Sequence, residues 1–304
     1  MRRLQGIASA AVLTVLTVLT VLTMMSSAAR AQDAASVLAD VRQALGGDAA
    51  LSAVQAFSVD GTETRTIADH TASASVEFSC ALPDRCIKVR HITDPFGETI
   101  EIYGFNGDAH IRRRASALPY PPDPFANDTP DQKAARARRA VLASKHEFAR
   151  LVIPMLGIAA FDPGDASYAG QETLDGKRVD VLLLRSPDGY ETRLFVDAAT
   201  HLPLMVSWIG LPEIVFSTTS TEVVRQGQVV RSTPMTPPLP SGDPTAGVAK
   251  VERRLSFGEY HAQGGVNWPR RFKESVGGRV VLDTSLNKFK INPKIDPKRF
   301  DPSR

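Results

Sequence analysis

The chain is poor in the residues that do chemistry. It has 2 cysteines and 6 histidines in 304 residues. The histidines, His70, His91, His110, His146, His201 and His261, fall one to a segment with no ligand spacing. No G-x-S-x-G elbow, P-loop or G-x-G-x-x-G loop occurs. The nearest approach to a metal motif is His146-Glu147-Phe148-Ala149-Arg150. Arginine stands there where H-E-x-x-H needs its second zinc ligand, so a charged helix face is the better reading. No catalytic residue, metal site or cofactor is expected, and an enzyme is not.

An excess of charge is also lacking. The formal net charge is +3, and Arg2, Arg3 and Arg30 in the first segment account for all of it. The remainder is balanced, so basicity gives no reason to expect nucleic acid. Only one apolar run is long, from Ile7 to Met25, with Val-Leu-Thr repeated from Val12 to Thr23. Basic residues precede it and Ala29-Arg30-Ala31 follows as an A-x-A site, so residues 1–31 read as a cleaved secretory signal. A retained anchor is the rival reading; the threonine at every third position and the A-x-A site weigh against it. No cysteine follows for lipid attachment. The expected product, residues 32–304, is a single exported, periplasmic domain.

The two cysteines, Cys80 and Cys86, flank Leu82-Pro83-Asp84-Arg85 between two strand-like runs. In an oxidising compartment they should form a disulfide across the hairpin mouth. C-x5-C lacks redox-motif spacing, and no second ligand pair suggests zinc.

What the chain has in quantity is turns between short apolar runs. Tyr168 to Trp208 is punctuated by Asp175-Gly176, Pro187-Asp188-Gly189 and Asp197-Ala198-Ala199-Thr200, which predicts an antiparallel meander. A second meander is expected from Phe57 to Arg114, and three closing strands from Val251 to Ile291. Asp33 to Leu45 predicts an N-terminal helix ended by Gly46-Gly47, and Asp48 should cap a short turn of helix through Val54. A second main helix, about 130–153, should start with Pro130 after Asp128 or Thr129 and kink or end at Pro154. Residues 233–247 read as a mobile loop rich in proline and glycine. About a dozen strands with two main helices predicts a mainly β, α+β domain that curls into a barrel or part-barrel.

The strands carry apolar stripes on one face: Val76/Phe78/Cys80, Ile100/Ile102, Val179/Val181/Leu183, Leu194/Val196 and Leu204/Val206/Trp208. Two helices are too few to cover so broad a dry face, which predicts a residual apolar cavity. Its expected lining is Phe78, Ile100, Val181, Leu194, Val206 and Trp208, with Val141, Phe148, Val152 and Met155 from the helix. The helix's other side is basic, and with Arg112-Arg113-Arg114 it could touch anionic headgroups or an acidic partner; a merely solvated face is the simpler reading.

Gly170-x-Glu172, Asp175-Gly176 and Asp197-x-x-Thr200-x-Leu202-Pro203 resemble the LolA/LolB-like superfamily of exported lipoprotein-sorting proteins. Gly46-Gly47 and the ending Ile291-Asn292-Pro293-x-Ile295-Asp296-x-x-x-Phe300 add to the resemblance. It implies an open antiparallel half-barrel of about eleven strands with a helical lid over an apolar concave face. By strand order, Arg65 matches the arginine with which carrier members hold the lid. The function implied is a periplasmic carrier for an acyl chain, lipid or lipoprotein anchor, touching the membrane only peripherally. The alternative is an envelope sensor or scaffold that binds a protein partner without lipid transfer.

Overall fold

A computed structural model describes residues 33–67, 70–94, 97–116, 127–157, 165–212, 222–225, 228–231 and 249–303. Residues 1–31, expected to be a signal, and residues 233–247, expected to be a mobile loop, lie outside the described residues.

The first meander runs β1 (Ala56–Ile67), β2 (His70–Ala81), β3 (Arg85–Asp94), β4 (Gly97–Asn106) and β5 (Ala109–Ser116). The second runs β6 (Asp165–Leu174), β7 (Lys177–Arg185), β8 (Glu191–Asp197) and β9 (Pro203–Gly210). A small hairpin, β10 (Glu222–Arg225) and β11 (Gln228–Arg231), stands outside the main sheet. β12 (Val251–Gln263), β13 (Val266–Val276) and β14 (Arg279–Ile291) follow. The main sheet has 12 strands in the order β5-β4-β3-β2-β1-β14-β13-β12-β9-β8-β7-β6. The chain thus enters at the centre, walks out to one edge, restarts at the other edge and walks back. β14 closes the gap by pairing with β1, Phe57 opposite Ile291. The edges β5 and β6 do not pair, so the barrel stays open, as the resemblance implies, with one strand more than the expected eleven.

Positive-φ residues make the turns the sequence signals. Asp175 and Gly176 have φ of 49° and 78°, and Gly277 and Gly278 have 57° and 82°. These values suit tight hairpins whose twist matches that of the strands.

Helix α1 (Ala34–Ala44) is capped by Asp33, whose carboxylate accepts from the Ser36 amide at 2.7 Å. In the short helix α2 (Asp48–Ser52) Asp48 is the first helical residue and Gly47 holds the cap position. Helix α3 (Pro130–Leu156) begins with a capping box: Thr129 accepts from the Gln132 amide while the Gln132 side chain accepts from the Thr129 amide. It does not stop at Pro154 but runs to Leu156, with Gly157 as C-cap at φ 62°. Residues 151–156 are all buried, so packing on the sheet outweighs the hydrogen bond that proline cannot donate.

One large core cluster contains Phe105 of β4, Leu182 and Leu184 of β7, Trp268 of β13 and Phe148 of α3. Strands far apart in the sheet order can share one cluster only if the sheet curves around that face. α3 lies against it and touches β4, β5, β9 and β13. Two smaller clusters occupy the opposite, convex face. One joins Ile87, Val89 and Ile111 to Phe300 of the 3-10 turn Pro297–Phe300, and the other joins Val179, Val181, Phe195 and Met205.

Candidate functional site

Between α3 and the concave face lies a cavity of about 430 Å³. Its apolar wall is Phe78, Leu151, Trp208, Leu255, Phe272 and Leu282; its charged wall is Arg65, Lys88, Glu147, Arg150, Arg253 and Glu274. A second cleft of about 390 Å³ opens on the helix flank toward β5 and includes His110, Arg112, Ser144 and the shared Glu147. Burial, helped by Arg112, holds the His110 imidazole below its ordinary pKa.

Of the residues expected from sequence to line a cavity, Phe78, Phe148, Val152, Met155, Leu194, Val206 and Trp208 come together in the concave cluster. Val141 is buried on α3. Ile100 and Val181 are not brought to this face. They pack in the two convex clusters, because alternation along a strand sends neighbours of Tyr103 and Leu182 at odd offsets the other way. Phe78 and Trp208 border the cavity itself.

The charged wall was not expected, yet strand alternation accounts for it. Phe57, Val59, Gly61, Glu63 and Arg65 share one face of β1, and Cys86, Lys88 and Arg90 share the same face of β3. Cys80 and Cys86 sit directly opposite each other in the β2–β3 ladder and form the expected disulfide, which suits an oxidising compartment. Two steps along, Lys88 lies between Phe78 and Tyr103 in the register. Its ammonium is 5.1 Å and 5.7 Å from their ring centroids and hydrogen-bonds the Glu63 carboxylate. Both Lys88 and Glu63 are almost wholly buried, at 3% and 1% exposure. Arg90 Nε stands 2.9 Å from the other Glu63 oxygen, not aligned as a hydrogen bond, while its Nη1 donates to Glu101 at 2.7 Å. Burial alone would raise the Glu63 pKa, but Lys88 and Arg90 together outweigh it and hold the carboxyl below its usual value.

Helix α3 is tied to both halves of the sheet. Toward the first meander, Lys145 pairs with Asp108 at 2.8 Å and Tyr103 donates to Glu147 at 3.1 Å. Burial, with Glu147 beside it, drives the Tyr103 phenol well above its ordinary pKa, so it stays a donor. Toward the second, His146 stacks on Tyr190 at 3.9 Å and meets Asp188 at 2.9 Å. Arg150 donates to the Tyr190 hydroxyl at 2.5 Å and lies 4.1 Å over the Trp208 ring. Arg65, matched by strand order to a lid-holding arginine, makes no hydrogen bond to the helix among the described residues; the contacts above tie α3 to the sheet. The near-motif His146-Glu147 is likewise spent on Asp188, Tyr190 and Tyr103.

Burial depresses the His146 pKa, against the opposing pull of Asp188. A depressed imidazole binds fewer protons folded than unfolded, so its neutral contact supports docking above the ordinary value and loses that support as pH falls. Amide exchange in residues 141–156, corrected for intrinsic rates, should accelerate between about pH 7 and about pH 5. His146→Gln should flatten that profile. An identical profile in the variant would show that another group sets it.

No family model matches the sequence, and no curated protein matches it. Solved structures do resemble the fold. A DUF1329 family protein from Desulfovibrio piger shares 11% identity at a TM-score of 0.47, over 89% of this chain and 98% of that one. An outer membrane lipoprotein-sorting protein domain from Vibrio parahaemolyticus shares 10% at 0.43, over 84% and 94%. The chain is also similar to a LolA superfamily protein from Nitrosomonas europaea, at 11% identity and a TM-score of 0.48 over 90% of this chain and 99% of that one.

Proposed function

We propose that this protein is an exported, periplasmic binding or carrier protein that takes an acyl chain, of a lipid or a lipoprotein anchor, into the cavity beneath α3. The cavity carries the reading: an apolar wall of Phe78, Leu151, Trp208, Leu255, Phe272 and Leu282 roofed by a helix. Each CH₂ buried there contributes about 0.8 kcal/mol, so eight of them offset a typical ordering cost without any reacting group. The roof packs on the sheet through Phe148, Leu151 and Val152 and is tied at its edges by polar contacts, so admitting a chain requires this segment to loosen from the concave face. The signal segment and the disulfide agree with export. A sensor or scaffold role, with a protein partner adding a strand at β5 or β6, is the second reading; both strands are sheet edges, and edges recruit strands.

The test is uptake of a dansyl-labelled C11 fatty acid by protein purified from periplasm without detergent, with native mass spectrometry of the same sample. Saturable uptake of one probe per chain is expected, weakened about tenfold by Leu255→Trp, which fills the cavity. A clean apo mass with no saturable uptake would abandon the acyl reading in favour of the sheet-edge one.

A further inference from the structure

We propose that the ligand's polar end is anionic, a carboxylate or a phosphate, and that Arg65 and Arg150 hold it at the cavity wall; this rests on the acyl-chain reading above. The charges around the cavity are unevenly paired. Of the cations lining it, Arg253 is neutralised by Glu274, with donors at 2.9 Å and 2.5 Å, and also donates to the Leu211 carbonyl at 2.8 Å. Lys88 is neutralised by Glu63. Of the carboxylates, Glu274 is paired with Arg253, while Glu147 is held by the neutral Tyr103 hydroxyl and keeps its charge, which leaves the wall one positive charge in excess. Arg65 and Arg150 remain. Among the described residues neither has a carboxylate within ion-pair distance, and Arg65 reaches Glu63 only through a longer-range attraction that ranks below those of Lys88 and Arg90.

Both arginines are set up to receive a ligand. Arg150 is oriented by two aromatic contacts, its guanidinium 4.1 Å over Trp208 and hydrogen-bonded to the Tyr190 hydroxyl. Arg150 also lines the cavity. Arg65 is part-buried and lines the same cavity with no hydrogen bond or ion pair to another described residue. In the wall of a ligand cavity, an anionic oxygen supplies both the acceptor and the missing charge. The apolar residues Trp208, Leu255 and Phe272 border the same space, so head and chain of one amphiphile are accommodated together.

The experiment titrates the full exported chain with oleate, lysophosphatidylglycerol, uncharged monoolein and inorganic phosphate, following Trp208 fluorescence. Trp268, the other tryptophan, is fully buried and serves as an internal reference. Oleate and lysophosphatidylglycerol should bind at least about tenfold tighter than monoolein, the gain expected of charge-assisted hydrogen bonds. Arg65→Gln should remove most of that preference and leave monoolein unchanged, and Arg65→Lys should restore part of it. Monoolein binding as tightly as oleate would overturn the anionic head while leaving the acyl reading intact. Phosphate binding as tightly as lysophosphatidylglycerol would overturn it too, by showing an anion site without a chain. Failure of all three amphiphiles would defeat the acyl reading and this inference with it.

Discussion

Glu63→Gln should lower unfolding stability by about 3–5 kcal/mol, the cost of leaving a buried charge without its partner. Lys88 is 3% exposed and wedged between two aromatic rings, so it cannot turn to solvent when the carboxylate is removed. Glutamine keeps the shape of the site but not the charge, and it leaves Lys88 and Arg90 facing each other across a neutral amide. The wild-type advantage should also depend on pH in a defined direction. The Glu63 pKa is depressed, so its contribution is present above the unfolded carboxyl value and is lost as pH falls through the folded one. Urea midpoints of the two proteins should therefore converge in acid. Adding Lys88→Met to Glu63→Gln should recover much of the loss, because a buried pair replaced by apolar or neutral groups is often neutral in stability. A loss below about 1 kcal/mol, within the range of exposed ion pairs, would mean that water reaches this network and that the charged wall is not the fixed feature described above.

Such a pair is hard to see in a sequence. Lys88 and Arg90 follow Cys86 at the inward period, so an alternation argument alone marks them as charges on a dry face. What it cannot give is the partner. Glu63 comes from β1, two strands away, and the ladder sets it in line with Ala74 and Ile92, four residues along from Lys88, so the two side chains meet diagonally across the concave face. The meanders were legible for the opposite reason. Asp175-Gly176 and Pro187-Asp188-Gly189 specify hairpins through local backbone conformation, and each hairpin sets the register of its two strands. The pairing of β1 with β14 depends on no turn; it follows from an overall closure that local patterns do not encode.

The face of each strand was legible only where one face is polar. β7 is apolar on both sides, with Val179 and Val181 on one and Leu182 and Leu184 on the other. Reading Val179/Val181/Leu183 as the cavity stripe therefore chose the convex side. Ile100 and Ile102 misled in the same way, because the C-terminal Phe300 and Ile295 cover that convex patch. A cover supplied by a segment some two hundred residues distant leaves no trace in the strand's own pattern. The inward stripe of β4 is instead Tyr103 and Phe105, which also carries the polar contact to α3.

Phe148→Ala should have the second large effect, a loss of about 3–5 kcal/mol concentrated in the docking of α3. Phe148 is 1% exposed and meets Phe105 edge-on, with ring centroids 5.7 Å apart at 75°. It packs in the same cluster as Leu151, Val152 and Met155. The helix is uneven in burial: residues 130–140 are mostly exposed, while Val141, Ser144, Phe148 and 151–156 are buried. Truncating the largest ring in the docked part should loosen this segment before the sheet. Amide exchange in residues 141–156 should then rise by orders of magnitude while β1, β2 and β14 keep most of their protection. Alanine is the informative change, since an aspartate at a position so buried would bring an unpaired charge into the core and unfold the sheet along with the helix. If exchange in α3 and in the central strands rises together, the helix and sheet open as one unit, and a roof that lifts to admit a chain is ruled out. If α3 alone loosens and the dansyl probe enters faster, the packing of Phe148 is the barrier that a ligand must cross.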